Sequence, residues 1–169
     1  MTSIPGKDTK MEFGKAYAEE LAVQNTGEID QYVRVTIYKW WEDASGKQRN
    51  VYPGYINLKL TLENGWVEDQ SASTEERTVL YYTKPLARGE SVIFAEEFSI
   101  AQDVMSIVRQ DGNGGTVHAY EGLTACVDVD VDAVQTHNAE DAILSAWGVR
   151  VGGSGKDENG ALKSLSYSW

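Results

Sequence analysis

Alternation of apolar and polar residues with a period of two is the feature that most restricts how this chain can fold. It is clearest in residues 31–41, where Val33, Val35 and Ile37 share one face and the residues between them share the other. A β-strand points successive side chains to opposite faces, and β-branched or aromatic residues suit a half-buried pleated surface. The pattern therefore predicts a strand with one face in a core.

Similar runs predict further strands along the chain. Apolar residues alternate with polar ones over residues 56–62, and Asn64-Gly65 follows at once. Asn-Gly is a strong hairpin signal, so we expect a hairpin whose return strand begins at Trp66. Further strands are predicted over residues 78–83, 92–100, 149–151 and 162–167.

The region between residues 104 and 135 is harder to divide. Residues 104–109 fit either a strand or a short helix, and the glycine-rich residues 111–115 indicate a turn. Residues 116–135 are predicted to form one long strand system with a bulge at Gly122. A loop is predicted over residues 152–160.

One short helix is predicted near residues 138–147. Asn138 suits the N-cap, Asp141 lies near the positive end of the helix dipole, and Gly148 suits the C-terminal cap. The apolar residues fall at helical spacing and form one stripe: Ala139, Ala142, Ile143, Ala146 and Trp147.

Many short strands with turns between them, and a single late helix, predict an all-β antiparallel sandwich. No strand–helix alternation of the α/β kind is present. The polar residues 1–11 are predicted to be a flexible N-terminal tail, and residues 12–169 a single domain.

The net charge of −11 at pH 7 restricts the partners of the chain. Phosphates of nucleic acid or anionic membranes would be repelled, so we expect no binding to either. No apolar run approaches the about 20 residues of a membrane span. Self-association should strengthen with salt, divalent cations or acid, because each reduces repulsion between copies.

The single cysteine, Cys126, cannot form an internal disulfide. Its small and apolar neighbours indicate a buried thiol that acts as a small hydrophobic side chain rather than a reactive group. No signal peptide is visible, so the chain is expected to be either cytosolic or a processed form of an exported protein.

Catalytic and metal motifs are sparse. His118 and His137 are the only histidines; with a carboxylate they could form a zinc site, or they could lie on the surface. Asp128, Asp130 and Asp132 share one face of a predicted strand and are a candidate calcium site. The alternative is a solvated acidic face, since the glycine and glutamate of a calcium loop are missing.

The chain contains two pairs of adjacent aromatic residues, Trp40-Trp41 and Tyr81-Tyr82. On a strand, the two members of each pair must point to opposite faces. One member of each pair is expected in the core. The other could lie in a cross-strand ladder, anchor a protein interface or stack on a sugar. All four are therefore candidate interaction residues.

Several stretches resemble exported proteins of Gram-positive bacteria in the broad TasA/camelysin group, which carry SipW-type signal peptides. They are residues 25–39 (NTGEIDQYVRVTIYK), 64–66 (NGW), 78–82 (TVLYY) with 85–86 (PL), and 134–138 (VQTHN) with 146–147 (AW). The resemblance implies a jelly-roll-like sandwich, secreted after signal cleavage, that acts at the cell surface or in the extracellular matrix. Relatives resembling TasA build biofilm fibres in which an N-terminal segment of one subunit completes the sheet of the next.

Three functions follow as hypotheses. The first is a non-catalytic surface or biofilm-matrix protein that associates with itself or with other matrix proteins and forms fibres. The second is a camelysin-like metal-dependent peptidase, although no zinc-protease motif is present. The third is a surface adhesin that binds glycans through its aromatic residues.

Overall fold

The computed structural model describes residues 12–157 and 159–167 and has an all-β architecture with one α-helix among these residues. The predicted tail over residues 1–11 lies outside them. The strands are β1 (Ala16–Gln24), β2 (Gln31–Asp43), β3 (Gly46–Lys47), β4 (Ile56–Leu60), β5 (Trp66–Glu68), β6 (Arg77–Tyr82), β7 (Ser91–Ile100), β8 (Val108–Gln110), β9 (Thr116–His118), β10 (Thr124–Gln135), β11 (Val149–Lys156) and β12 (Leu162–Tyr167). The helix is α1 (Ala139–Trp147), and short 3-10 turns cover Pro53–Tyr55, Leu62–Asn64 and Gln102–Ser106.

Two antiparallel sheets form the sandwich. Sheet A has the order β1-β7-β4, and sheet B has the order β10-β2-β6-β5, with β3 paired to β2. The chain passes from one sheet to the other between β1 and β2, β3 and β4, β4 and β5, β6 and β7, and β7 and β10. This repeated crossing is jelly-roll-like, and the predicted fold class is confirmed.

The central core lies between the two sheets. Val33, Val35 and Ile37 of β2 are buried there, as their alternation predicts, against Phe94 and Ala95 of β7. Burial of one face of each sheet against the other provides the main hydrophobic stabilisation of the fold.

The opposite face of sheet B is covered in part. Helix α1 packs on it through Ile143 and Trp147, against Tyr32 of β2 and Tyr81 of β6. The predicted bounds of the helix are confirmed, and Gly148 adopts the left-handed conformation and donates its N–H to the Leu144 carbonyl. Asn138 is the N-cap residue, as predicted, but it adopts a left-handed conformation and its side chain makes no capping hydrogen bond.

The hairpin predicted at Asn64-Gly65 is also wrong. Strand β4 pairs with β7 in sheet A, whereas β5 pairs with β6 in sheet B. Gly65 (φ 111°) therefore turns a corner between the sheets. The turn signal was correct, but the same local conformation connects two layers here instead of two neighbouring strands.

Residues 104–135 divide differently from the prediction. Residues 104–109 contain both the end of a 3-10 turn and β8, and β8 pairs with β9 across the turn at residues 111–115. Strands β9 and β10 belong to different sheets, and Gly122 (φ 75°) lies in the turn between them rather than in a bulge. The predicted loop over residues 152–160 is shorter, because β11 extends to Lys156 and pairs with β12.

Candidate functional site

The longest free sheet edge is that of β10. Within the described residues this strand pairs only with β2, along all twelve of its positions. Val127 and Val129 pack partly against the central core, but Val131, on the same face, is 49% exposed. One backbone N–H of the strand, that of Val129, donates to the Asp128 carboxylate (2.9 Å). A regular edge strand that pairs with no second strand and carries an exposed apolar residue is a template for addition of another strand.

The opposite face of β10 carries the predicted acidic row. Asp128, Asp130 and Asp132 lie beside Tyr38, Thr36 and Arg34 of β2, so they share one face as expected. Asp132 accepts a hydrogen bond of 2.6 Å from the Arg34 guanidinium, which neutralises one end of the row.

No group of three His, Cys, Asp or Glu side chains suited to a metal ion occurs in the described residues. Calcium binding by this row therefore stays a prediction.

The four candidate aromatic residues divide into two kinds of position. Trp41 is buried against Ile56 and Tyr120 at one end of the sandwich, and Tyr81 is buried under the helix, 5.5 Å from the ring of Trp147. In this conformation neither can contact a partner. Trp40 and Tyr82 are half-buried, and Tyr82 packs against Trp66 in the central core. Of the four, Trp40 is the one that lies on the outer face of sheet B without being buried under the helix, and its indole N–H donates to Glu42.

The two histidines are brought to opposite ends of the sandwich. His118 ends β9, before β10 begins, and His137 follows the end of β10. Both side chains are exposed. A strand of this length spans roughly 36 Å at about 3.3 Å per residue, so the pair cannot ligate one zinc ion within one chain.

Cys126 lies on the outer face of β10 beside Trp40 and is only half-buried, so the buried position predicted for it is wrong: it alternates with Val127, which faces the core. Burial raises the pKa of its thiol to about 11, and the nearby Glu42 carboxylate contributes in the same direction. The thiolate, which is the nucleophilic form, is therefore suppressed at neutral pH.

A cleft of about 800 Å³ opens at the end of the sandwich that holds Trp41. One wall is the segment after β3, including Tyr52 and Tyr55, and the other is the β8–β9 hairpin with the turn after it, including Arg109 and Glu121. Ring contacts run from Trp41 through Tyr120 (4.8 Å) and Tyr55 (5.7 Å) to Tyr52 (5.1 Å).

Sequence reasoning did not single out this cleft. Residues 52–55 (YPGY) carried a usable signal, because proline and glycine between two tyrosines indicate a tight turn that brings the rings together. The opposite wall comes from residues more than fifty positions later, and no local pattern joins the two.

In the part of the chain that the structure describes, no helix is both long enough and apolar enough to cross a membrane. Comparisons of the chain with protein-family models, curated protein sequences and solved structures find no match. The resemblance to the TasA/camelysin group therefore stays a prediction.

Proposed function

We propose that the chain is a non-catalytic, exported surface or matrix subunit that assembles with copies of itself into fibres. In this proposal the free edge of β10 accepts residues 1–11 of a second copy as an added strand. The observation that carries the proposal is the twelve-residue edge of β10, with exposed Val131 on its core-facing side. Strand addition would satisfy the backbone of this edge and cover that side chain.

Charge supports this choice of occupant. The acidic row of β10 would repel a second β10 strand, because like charges directly opposite each other destabilise a strand pair. Residues 1–11 contain Lys7, Lys10 and one acidic residue, Asp8, so the segment has the opposite sign. Added cations or acid should further favour assembly by reducing the repulsion between chains of net charge −11.

The distribution of candidate catalytic groups supports a non-catalytic role. The two histidines of the peptidase hypothesis lie beyond opposite ends of β10, and Cys126 is held as a thiol. A metal-dependent peptidase would need its ligands and a water together in one open site.

The test follows fibre formation by electron microscopy and light scattering from pH 7.5 to pH 5, with and without calcium. We expect ordered filaments from the full chain, and their loss in a variant that lacks residues 1–11. If the shortened chain assembles as well as the full one, this segment is not the donor. A monodisperse full chain under every condition would contradict the assembly itself.

A matched pair of substitutions tests the acceptor edge. Val131 on β10 and Val67 on β5 are 49% and 48% exposed, and they lie on opposite edge strands of the same sheet. Val131→Lys places a charge where the added strand must pack and should abolish filaments, whereas Val67→Lys should leave them unchanged. Equal effects of the two substitutions would show that β10 is not the acceptor.

A further inference from the structure

The cleft beside Trp41 has the construction of a ligand site, and its position does not depend on the β10 edge. Its volume of about 800 Å³ lies within the usual range for small-molecule sites, about 300–1,000 Å³. We propose that this cleft binds a neutral carbohydrate chain, with the Tyr52 ring stacked on a sugar and the polar side chains of both walls hydrogen-bonded to its hydroxyl groups.

Several contacts hold Tyr52 in place before any ligand arrives. The ring of Tyr52 lies over Gly54, where an added Cβ would overlap it. Interaction of its hydroxyl with the Glu75 carboxylate raises the pKa of the phenol. The Tyr52 carbonyl accepts hydrogen bonds from the Trp41 indole N–H (3.1 Å) and the Tyr120 hydroxyl (3.4 Å). A ring held in this way loses little conformational entropy on binding.

Tyr52 nevertheless remains accessible, since 47% of its surface is exposed. Behind it, the edge-to-face contacts with Tyr55 and Tyr120 lead to the buried Trp41. An aromatic ring with an apolar face and a polar edge suits the C–H face of a pyranose, whose hydroxyl groups point outward.

Polar groups opposite the ring are free to take part. Within the described part of the chain, no hydrogen bond or ion pair uses the Arg109 guanidinium or the Glu121 carboxylate, and both are exposed at the cleft. Asn50 adds an exposed amide on the first wall. Gln48 also lines this wall, but its amide nitrogen already donates to Ser45 Oγ (3.2 Å) and to the Gly46 carbonyl (3.3 Å). A carboxylate accepts hydrogen bonds, a guanidinium donates them and an amide does both. These side chains can therefore pair with sugar hydroxyl groups that act as donors and with those that act as acceptors.

The charges and polarity of the lining select the ligand class. Asp43 and Glu121 outnumber Arg109, and the whole chain is strongly acidic, so uronic acids and phosphates would be repelled. The carboxylate of Asp43 accepts two hydrogen bonds from Ser45, which lower its pKa and keep it charged. An apolar ligand would leave these polar groups desolvated and unpaired, which is costly. A neutral sugar avoids both penalties.

The test titrates the full chain with cellohexaose, chitohexaose and maltohexaose by calorimetry, with polygalacturonate as the acidic probe. We expect binding to at least one neutral oligosaccharide and none to polygalacturonate. Tyr52→Ala should weaken binding about tenfold, equivalent to about 1.4 kcal/mol, and Tyr52→Phe should change it little because the ring remains. Arg109→Ala, on an exposed hairpin, is a second variant that should weaken binding without disturbing the core.

Phe13→Ala is the matched control, because Phe13 is also exposed (41%) but lines a neighbouring groove rather than the cleft. The proposal is overturned if none of the neutral oligosaccharides binds, if polygalacturonate binds more tightly, or if Phe13→Ala weakens binding as much as Tyr52→Ala. Val131→Lys should bind sugar like the unmodified chain. Failure of sugar binding and failure of fibre assembly are therefore separable.

Discussion

The helix that covers the outer face of sheet B should contribute a large share of the stability, and Ile143→Ala tests this. Ile143 is 0% exposed and packs in a cluster with Tyr32, Tyr81 and Trp147. Replacing a fully buried isoleucine by alanine costs about 2–5 kcal/mol, and more when the surroundings cannot collapse into the cavity. Aromatic rings on both the strands and the helix restrict collapse here, so we expect a loss of about 3–4 kcal/mol in the free energy of unfolding.

For a chain of this size, each kcal/mol lowers the melting temperature by about 2–4 °C, so Ile143→Ala should melt about 10 °C lower. Urea unfolding followed by tryptophan fluorescence and by far-UV circular dichroism measures the loss. Leu144→Ala is the control, since Leu144 is the next residue but only half-buried, and it should cost clearly less. If the two variants lose equal stability, or if Ile143→Ala loses none, the helix does not pack on sheet B as described.

Two further predictions concern the turns and the thiol. Gly65 and Gly46 have almost the same φ, 111° and 110°, but a Cβ on Gly65 would lie 3.2 Å from the Tyr82 ring and Lys84, whereas Gly46 is open. Substitution of either glycine by alanine should lower the free energy of unfolding by about 1–2 kcal/mol, because alanine disfavours the left-handed backbone conformation. Gly65→Ala should cost more than Gly46→Ala because its Cβ is crowded, and urea unfolding measures both losses. Equal losses would contradict the crowding at Gly65. Cys126, with its pKa raised to about 11, should react with iodoacetamide at pH 8 roughly a hundredfold more slowly than in the urea-unfolded chain. A reaction rate equal to that of the unfolded chain would contradict the burial of the thiol. Because the thiol ionises at lower pH in the unfolded chain than in the folded one, the contribution of Cys126 to stability should fall as the pH rises from about 9 to about 11.

The local elements were largely predictable because their signals are local. Alternation over residues 31–41 correctly assigned Val33, Val35 and Ile37 to a core face, and the apolar stripe together with Gly148 gave the bounds of helix α1. The turn signal at Gly65 correctly marked a change of direction, whereas Gly122 was predicted to form a bulge and lies in a turn instead. Such local signals could not indicate which strands would become neighbours, because the same left-handed glycine can close a hairpin or turn a corner between sheets.

The aromatic pairs show the same limit. Alternation required the two members of each pair to point to opposite faces, and it left open which face would be more deeply buried. Helix α1 packs on the outer face of sheet B, so Tyr81 on that face is buried, whereas Tyr82, on the face toward the core, is half-buried near the end of its strand. Burial on both sides of one sheet depends on a partner element that joins from a distant part of the chain.

The sequence by itself determined the class of fold, the faces of its strands, the position of its helix and the strong negative charge, because each depends on residue type and short-range spacing. Only the tertiary structure decided the free edge of β10, the separation of His118 from His137 and the cleft between Tyr52 and Arg109. These features depend on which strands pair and which turns meet at the end of the sandwich. Such contacts join residues far apart in the chain, and their energies come from packing, which no short-range pattern records.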